Sequence, residues 1–295
     1  KNMLTGDYLQ LWLNTYITPR KRPNTAACYR RAIDALPLNV CRSELAELNG
    51  LQLQAAINQQ AARYPRAAQL TYTTLHVAMA KAVALHLLPY SPMDGVERPE
   101  HEPQRASILT AEQLPAYLAA AREVQGWPLL LMMVACGLRR GEALGLTWAA
   151  VDWTAGTIAI CQQRGRVAGR GMQTAALKTG ASARVLPLAG PVARELAAWR
   201  AGQAVLTRWV LDTTPERLAR DHAAALAAAG LPHVTLHGLR HSMATAAAEA
   251  GAPIKLLQAV LGHSTYKLTA DLYADHVRAA ALGPVLDTMA RVMEV

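Results

Sequence analysis

Ala135-Cys-Gly-Leu-Arg139-Arg-Gly-Glu142, Leu236-His237-Gly-Leu-Arg240-His241 and Leu261-Gly-His263, with Tyr273 ten residues further on, decide how this chain is read. Arg139 and Glu142 are three apart, so on one helix they occupy adjacent positions of a face, and the carboxylate can hold the helix or the arginine in place. An ordinary exposed pair at that spacing would contribute little. Arg140 points elsewhere on such a helix and reads as a surface or backbone-contacting cation. His237 and His241 are four apart, a spacing that can bring two imidazoles to one metal. Gly238, however, stands where a metalloprotease helix needs glutamate, so no metal is expected. His241 then reads as a structural residue of its helix, and His276 as a cap or packing group.

Around these stretches the apolar residues recur at helical spacing. A helix is expected through Trp127–Leu146, preceded by Thr110 and Gln113, which have the form of a capping box. Thr157–Gln162 reads as a strand, followed by a Gly/Arg-rich connection and a second strand pair ending in Arg184–Leu188. Helices resume after Pro191. Upstream, the spacing predicts helices over Gly6–Tyr16, Thr25–Leu36, Arg42–Leu48, Leu51–Arg63 and Arg66–Leu88. Tyr90–Gln104, with Pro92, Pro99 and Pro103, has no apolar period and reads as a linker. At 295 residues the chain can hold two domains with separate cores, expected at 1–104 and 105–295. The segment 284–295 puts Val285, Leu286, Met289, Val292 and Met293 on one face of a terminal helix.

The formal charge is +9 and the pI about 9.7, which suits a partner made of phosphates but equally a solvated basic face. Distribution says more. No acid occurs between Tyr8 and Ile33, where Arg20, Lys21, Arg22, Arg30 and Arg31 fall, nor between Trp153 and Arg194, where Arg164, Arg166, Arg170, Lys178 and Arg184 fall. Two basic tracts suggest two surfaces on one polyanion. The four cysteines form no CxxC pair, which argues against a zinc ribbon and for a reducing compartment. The apolar run Trp127–Leu138 is too short to span a bilayer and no signal-peptide pattern opens the chain, so a cytoplasmic protein is expected.

In this order, with Lys178 on the strand pair between the first two stretches, the motifs resemble the tyrosine recombinase family, and most of all its integrases, from Leu109 to about Val277. The resemblance implies a mainly α, mixed fold: an all-α SAM-like core-binding domain and an α/β catalytic domain with a small antiparallel sheet, forming a C-shaped clamp on double-stranded DNA. It makes Tyr273 the nucleophile, Arg139 and Arg240 the phosphate-binding cations, His237 and His263 the proton acceptors and hydrogen-bond donors, and Lys178 the general acid, with Glu142 in support. Arg22, Arg30, Arg31, Arg140, Arg164, Arg166 and Arg170 are candidate DNA contacts. Guanidinium suits its role because it stays charged and offers a planar fork to two phosphate oxygens. A phenol, with a free pKa of about 10, can attack phosphorus and later leave, so neither metal, cofactor nor ATP is expected.

Composition leaves Tyr266 and Tyr273 open as nucleophile; the resemblance selects Tyr273, which His276 follows after three residues. It also implies a homotetramer with C-terminal segments passed between neighbours and a mobile-element role; integrases of the family often carry an arm-binding module upstream, which would fit a chain beginning at Lys1. A type IB topoisomerase, sharing this chemistry, and a non-catalytic DNA-binding protein on the same fold are the alternatives.

Overall fold

The computed structural model describes residues 3–100, 107–177 and 182–262. The chain divides into two compact units, Lys1–Gln104 with Val167–Gly169, and Arg105–Arg166 with Arg170–Val295.

In the first unit α1 (Thr5–Trp12) continues through a π turn, Leu13–Ile17, and is followed by α2 (Pro23–Asp34), α3 (Leu38–Arg42), α4 (Gly50–Ala61) and α5 (Pro65–Ala84). Proline opens α2 and α5, where its missing N–H is harmless and its fixed φ is already helical. A reciprocal box starts α4: the Asn49 side chain accepts the Gln52 amide at 3.0 Å and Gln52 accepts the Asn49 amide at 3.2 Å. Both α2 and α4 pack on α5. Leu9, Leu13, Leu53, Ile57, Leu75 and Met79 are fully buried there, each stabilising the fold by about 1.5–3 kcal/mol. Tyr8 satisfies its buried hydroxyl by donating to the Ala78 carbonyl at 2.7 Å.

The helix expected over Arg42–Leu48 is not formed. The chain ends α3 at Arg42 and makes only a 3-10 turn, Leu45–Glu47. The cause is tertiary: the Ser43 carbonyl accepts the Thr5 amide at 2.9 Å and the Leu45 amide donates to Met3 at 2.8 Å, which holds this stretch extended. The proline-rich segment beyond Tyr90 carries no helix or strand as far as Glu100. Its Met93 and Val96 are buried in the core of this unit.

The second unit contains α6 (Leu114–Ala121), α7 (Trp127–Ala135), α8 (Arg140–Leu144), β1 (Val151–Asp152), β2 (Thr157–Ile160), β3 (Gln162–Val167), β4 (Gly171–Ala176), β5 (Arg184–Pro187), α9 (Gly190–Ala201), α10 (Pro215–Ala228), α11 (Leu236–Glu249) and α12 (Ile254–Leu261). Leu129, Leu130, Met132 and Met133 bury α7 on all sides, as a helix apolar all round requires. It packs on α9 and α11, while α6 packs on α10. The sheet runs β1-β2-β5, antiparallel, with Ile158 opposite Leu186. The Gly/Arg-rich connection is itself a hairpin, β3 and β4 pairing with each other across a turn at residues 168–170.

Two expected boundaries shift. Gln113 accepts the Thr110 amide at 3.0 Å, but Thr110–Gln113 is a turn and the helix begins at Leu114. The single helix expected over Trp127–Leu146 is two, α7 and α8, separated at Cys136–Arg139. Among the described residues no helix is long and apolar enough to cross a membrane.

Candidate active site

The break between α7 and α8 makes the site. Gly137 adopts φ +60°, and a Cβ there would lie 2.4 Å from Met243 Cε. The chain therefore turns sharply and brings Arg139 to the N-cap of α8 in extended conformation rather than within a helix. Glu142, at the third helical position, still reaches back. Its Oε2 accepts the Arg139 amide at 3.0 Å and its Oε1 the Arg139 Nη1 at 2.6 Å. Only the carboxylate half of a capping box can form, since guanidinium has no acceptor.

Glu142 is 2% exposed and also receives Arg184 Nη2 at 2.9 Å, with Arg240 Nη1 at 4.0 Å. Burial alone would push its pKa up; the hydrogen bonds and charges of Arg184 and Arg139 outweigh this and hold it below the ordinary carboxylate range. Three guanidinium groups around one carboxylate leave the pocket cationic, the sign required for a phosphodiester.

Arg240 is carried by α11, whose first turn is capped by Thr235 Oγ1 accepting the Gly238 amide at 3.0 Å. Its buried side chain donates to the carbonyls of Gly137 at 2.7 Å and Leu261 at 2.6 Å. Arg139 Nη2 donates to Gly262 at 3.1 Å. The two motif arginines are thus brought together on a shared frame. Burial, then the neighbouring Arg139, lowers the Arg240 pKa, yet guanidinium remains cationic in the neutral range.

His237 stands on the first turn of α11 and lines an open cleft of about 550 Å³ together with Arg139, Arg140, His222 and His233. His237 is exposed. Partial desolvation, then repulsion from Arg240 and Arg139, lowers its pKa, which favours a neutral imidazole able to accept a proton. The His241 ring meets it edge-on at 4.5 Å. Burial, then His237 and Arg240, depresses the His241 pKa to about 4. Among the described residues no cluster of three or more metal-ligating side chains occurs.

Lys178, His263 and Tyr273 lie outside the described residues, as do Tyr266, His276 and the segment 284–295. Of the candidate DNA contacts, Arg22, Arg31, Arg140 and Arg170 are exposed. Arg30 is exposed and hydrogen-bonded to Asn14 at 3.2 Å. Arg166 pairs with Glu216 at 3.1 Å. Arg164 is engaged internally: 13% exposed, it bonds Asp212 at 2.7 Å and stacks on Trp209 at 4.4 Å. The sequence reading missed Arg184 as a site residue. Its signal was there in the two-residue period of β5, which puts Arg184 on the face of buried Leu186 while Val185 is exposed.

A family model described as the phage integrase family matches residues 107–279. The tyrosine recombinase XerC of Mycobacterium sp. (strain KMS) is 30% identical over 269 residues, covering 83% of this chain and 84% of the relative. XerC of Mycobacterium tuberculosis (strain CDC 1551 / Oshkosh) is 30% identical over 276 residues, covering 86% and 83%. Two solved structures share the fold. The Tn1549 transposon integrase in complex with a circular intermediate DNA matches with a TM-score of 0.81 at 17% identity, over 97% of this chain and 99% of that one. A lambda integrase tetramer bound to a Holliday junction matches at 0.71 and 18% identity, over 94% and 79%. With the family model spanning more than half of the chain and relatives aligned over most of it, the chain belongs to the phage integrase family of tyrosine recombinases.

Proposed function

We propose that this chain is a site-specific DNA recombinase that cuts and rejoins strands through a 3′-phosphotyrosyl intermediate on Tyr273. The observation that carries the reading is the cationic frame in which Arg139 and Arg240, from two separate motifs, meet around buried Glu142 beside His237. A phosphodiester gains negative charge as it becomes pentavalent, and fixed donors that need no reorganisation stabilise that change most.

Tyr273 Oη attacks the scissile phosphorus, forming the tyrosyl P–O bond as the bond to the 5′ oxygen breaks. His237 and His263 are assigned to take the phenolic proton and to hydrogen-bond the phosphate, and Lys178 to protonate the departing 5′ oxygen. Reversal by a 5′ hydroxyl from a partner strand rejoins DNA without ATP, because the phosphotyrosyl bond conserves the energy of the broken one. Exchange between two duplexes needs four such sites, so a homotetramer on paired core sites is the assembly proposed. Among the matched structures, the lambda integrase tetramer on a Holliday junction and the Tn1549 complexes favour this assembly and a mobile-element role.

The test is exchange between two differently end-labelled duplexes, each bearing a site selected by binding from random-sequence DNA, incubated in EDTA. Recombinant strands carrying both labels are expected. Relaxation of supercoiled DNA without exchange would instead assign topoisomerase activity.

A further inference from the structure

The last three carbonyls of α12 and its cap are each taken by a different arginine: Val260 by Arg184 Nε at 2.6 Å, Leu261 by Arg240 Nη2 at 2.6 Å, and Gly262 by Arg139 Nη2 at 3.1 Å. These carbonyls have no intrahelical partner and form the negative end of the helix dipole, so cations are favoured there. The same three arginines surround Glu142.

Arg184 differs from the other two. Its three nitrogens are all committed, to Val260, to the Ser182 carbonyl at 2.9 Å and to Glu142 at 2.9 Å. Each of its nitrogens is thus engaged within the protein. Arg139 and Arg240 each hold their internal bonds through the two terminal nitrogens, so of the five N–H donors of a guanidinium these two keep more for a ligand than Arg184 does. Gly262 fits against Arg184 closely: a Cβ there would stand 3.0 Å from Arg184 Nη1.

We propose that Arg184 is a positioning residue of the recombinase reaction, clasping the C-terminus of α12 to Glu142 so that Arg139 and Arg240 are held ready to receive the scissile phosphate. This rests on the reading of Arg139 and Arg240 as phosphate-binding groups. Without Arg184, Glu142 loses one of its three cations and the Val260 carbonyl its donor, and the neighbouring arginines turn further inward to replace it, away from the substrate.

The experiment compares R184M and R184K with wild type in single-turnover cleavage of a nicked duplex bearing the selected site. One substrate carries the normal scissile phosphate and the other a methylphosphonate, which lacks the negative charge the arginines neutralise. R184M is expected to bind DNA with unchanged affinity and to cleave the phosphate about a hundredfold more slowly, the loss shrinking to about tenfold or less on the methylphosphonate. R184K, keeping the charge and one donor, is expected to lose less and to be relieved likewise; if R184M does not fold, R184K alone carries the comparison. An equal fold loss on both substrates, or no loss, would overturn the proposal, because a merely structural role is blind to the charge of the phosphate. Arg240→Ala is the control. If the methylphosphonate does not relieve Arg240→Ala, the phosphate-binding reading itself fails, and this proposal with it; if it relieves Arg240→Ala but not R184M, only the role of Arg184 fails.

Discussion

Arg240 Nη1 donates to the carbonyl of Gly137 at 2.7 Å, which ties the arginine of one motif to the backbone break of another 103 residues away. The break between α7 and α8 is therefore part of the site. It places Arg139 at the N-cap of α8 and supplies the carbonyl that orients Arg240.

Gly137→Ala tests this link. The left-handed conformation costs a residue with Cβ about 1–2 kcal/mol, and the new methyl would also meet Met243 Cε at 2.4 Å. A stability loss of at least that size is expected in urea unfolding. A loss of DNA cleavage larger than that of DNA binding should accompany it, because Arg139 and Arg240 both move.

Glu142→Gln should destabilise the protein by about 3 kcal/mol at pH 7, since it leaves the buried Arg184 and Arg240 guanidinium groups without their carboxylate. The sign with pH follows from a folded-state pKa held below the ordinary carboxylate value. Stability from this group is complete above the unfolded-state pKa of about 4.3 and is lost as pH falls through the lower folded value. Urea titrations of wild type and Glu142→Gln are expected to differ most near neutrality and to converge in acid.

His222 offers a second pH dependence of the same direction. Its buried ring bonds the Tyr117 hydroxyl at 2.8 Å and the Val234 carbonyl at 2.7 Å. Burial, only partly offset by the Val234 bond, lowers its pKa. The unfolded chain therefore binds the proton first, and stability falls as pH drops below the free histidine pKa of about 6.5. A glutamine can donate to Val234 and accept from Tyr117 without titrating. His222→Gln should thus keep most of the stability at pH 7.5 and show a shallower loss between pH 7 and 5, measured by unfolding at fixed ionic strength.

The candidate DNA contacts separate by salt dependence. Each phosphate contact contributes about 0.9 to the slope of log affinity against log salt. Exposed Arg140 and Arg170 should each lower that slope by about one when changed to alanine, if they touch phosphate. Arg164→Ala should leave it unchanged, because Arg164 is bonded to Asp212 and stacked on Trp209.

The three motif stretches were legible because each carries a chemistry that side-chain type alone suggests: a fixed guanidinium, an imidazole, a partner carboxylate three residues on. Arg139 and Glu142 do pair, although for a different reason than a shared helix face; a left-handed glycine after α7, which periodicity does not register, is followed by a new helix with Arg139 as its N-cap. The helix expected at Arg42–Leu48 failed because two backbone hydrogen bonds to Met3 and Thr5, forty residues away in sequence, outweighed local propensity. Arg184 was hidden among the basic residues of an acid-free tract, where charge counting treats every arginine as a surface cation. Strand parity distinguishes it.

The central claim is a covalent bond between Tyr273 and DNA. The most direct measurement incubates wild type and Tyr273→Phe with a nicked suicide duplex bearing the selected site, in EDTA and without ATP, and looks for a denaturant-resistant protein–DNA adduct. An adduct formed by wild type, absent from Tyr273→Phe and mapped to a peptide containing Tyr273, is the expected result. Tight binding by both proteins with no adduct from either, or an adduct that survives in Tyr273→Phe, would contradict the account.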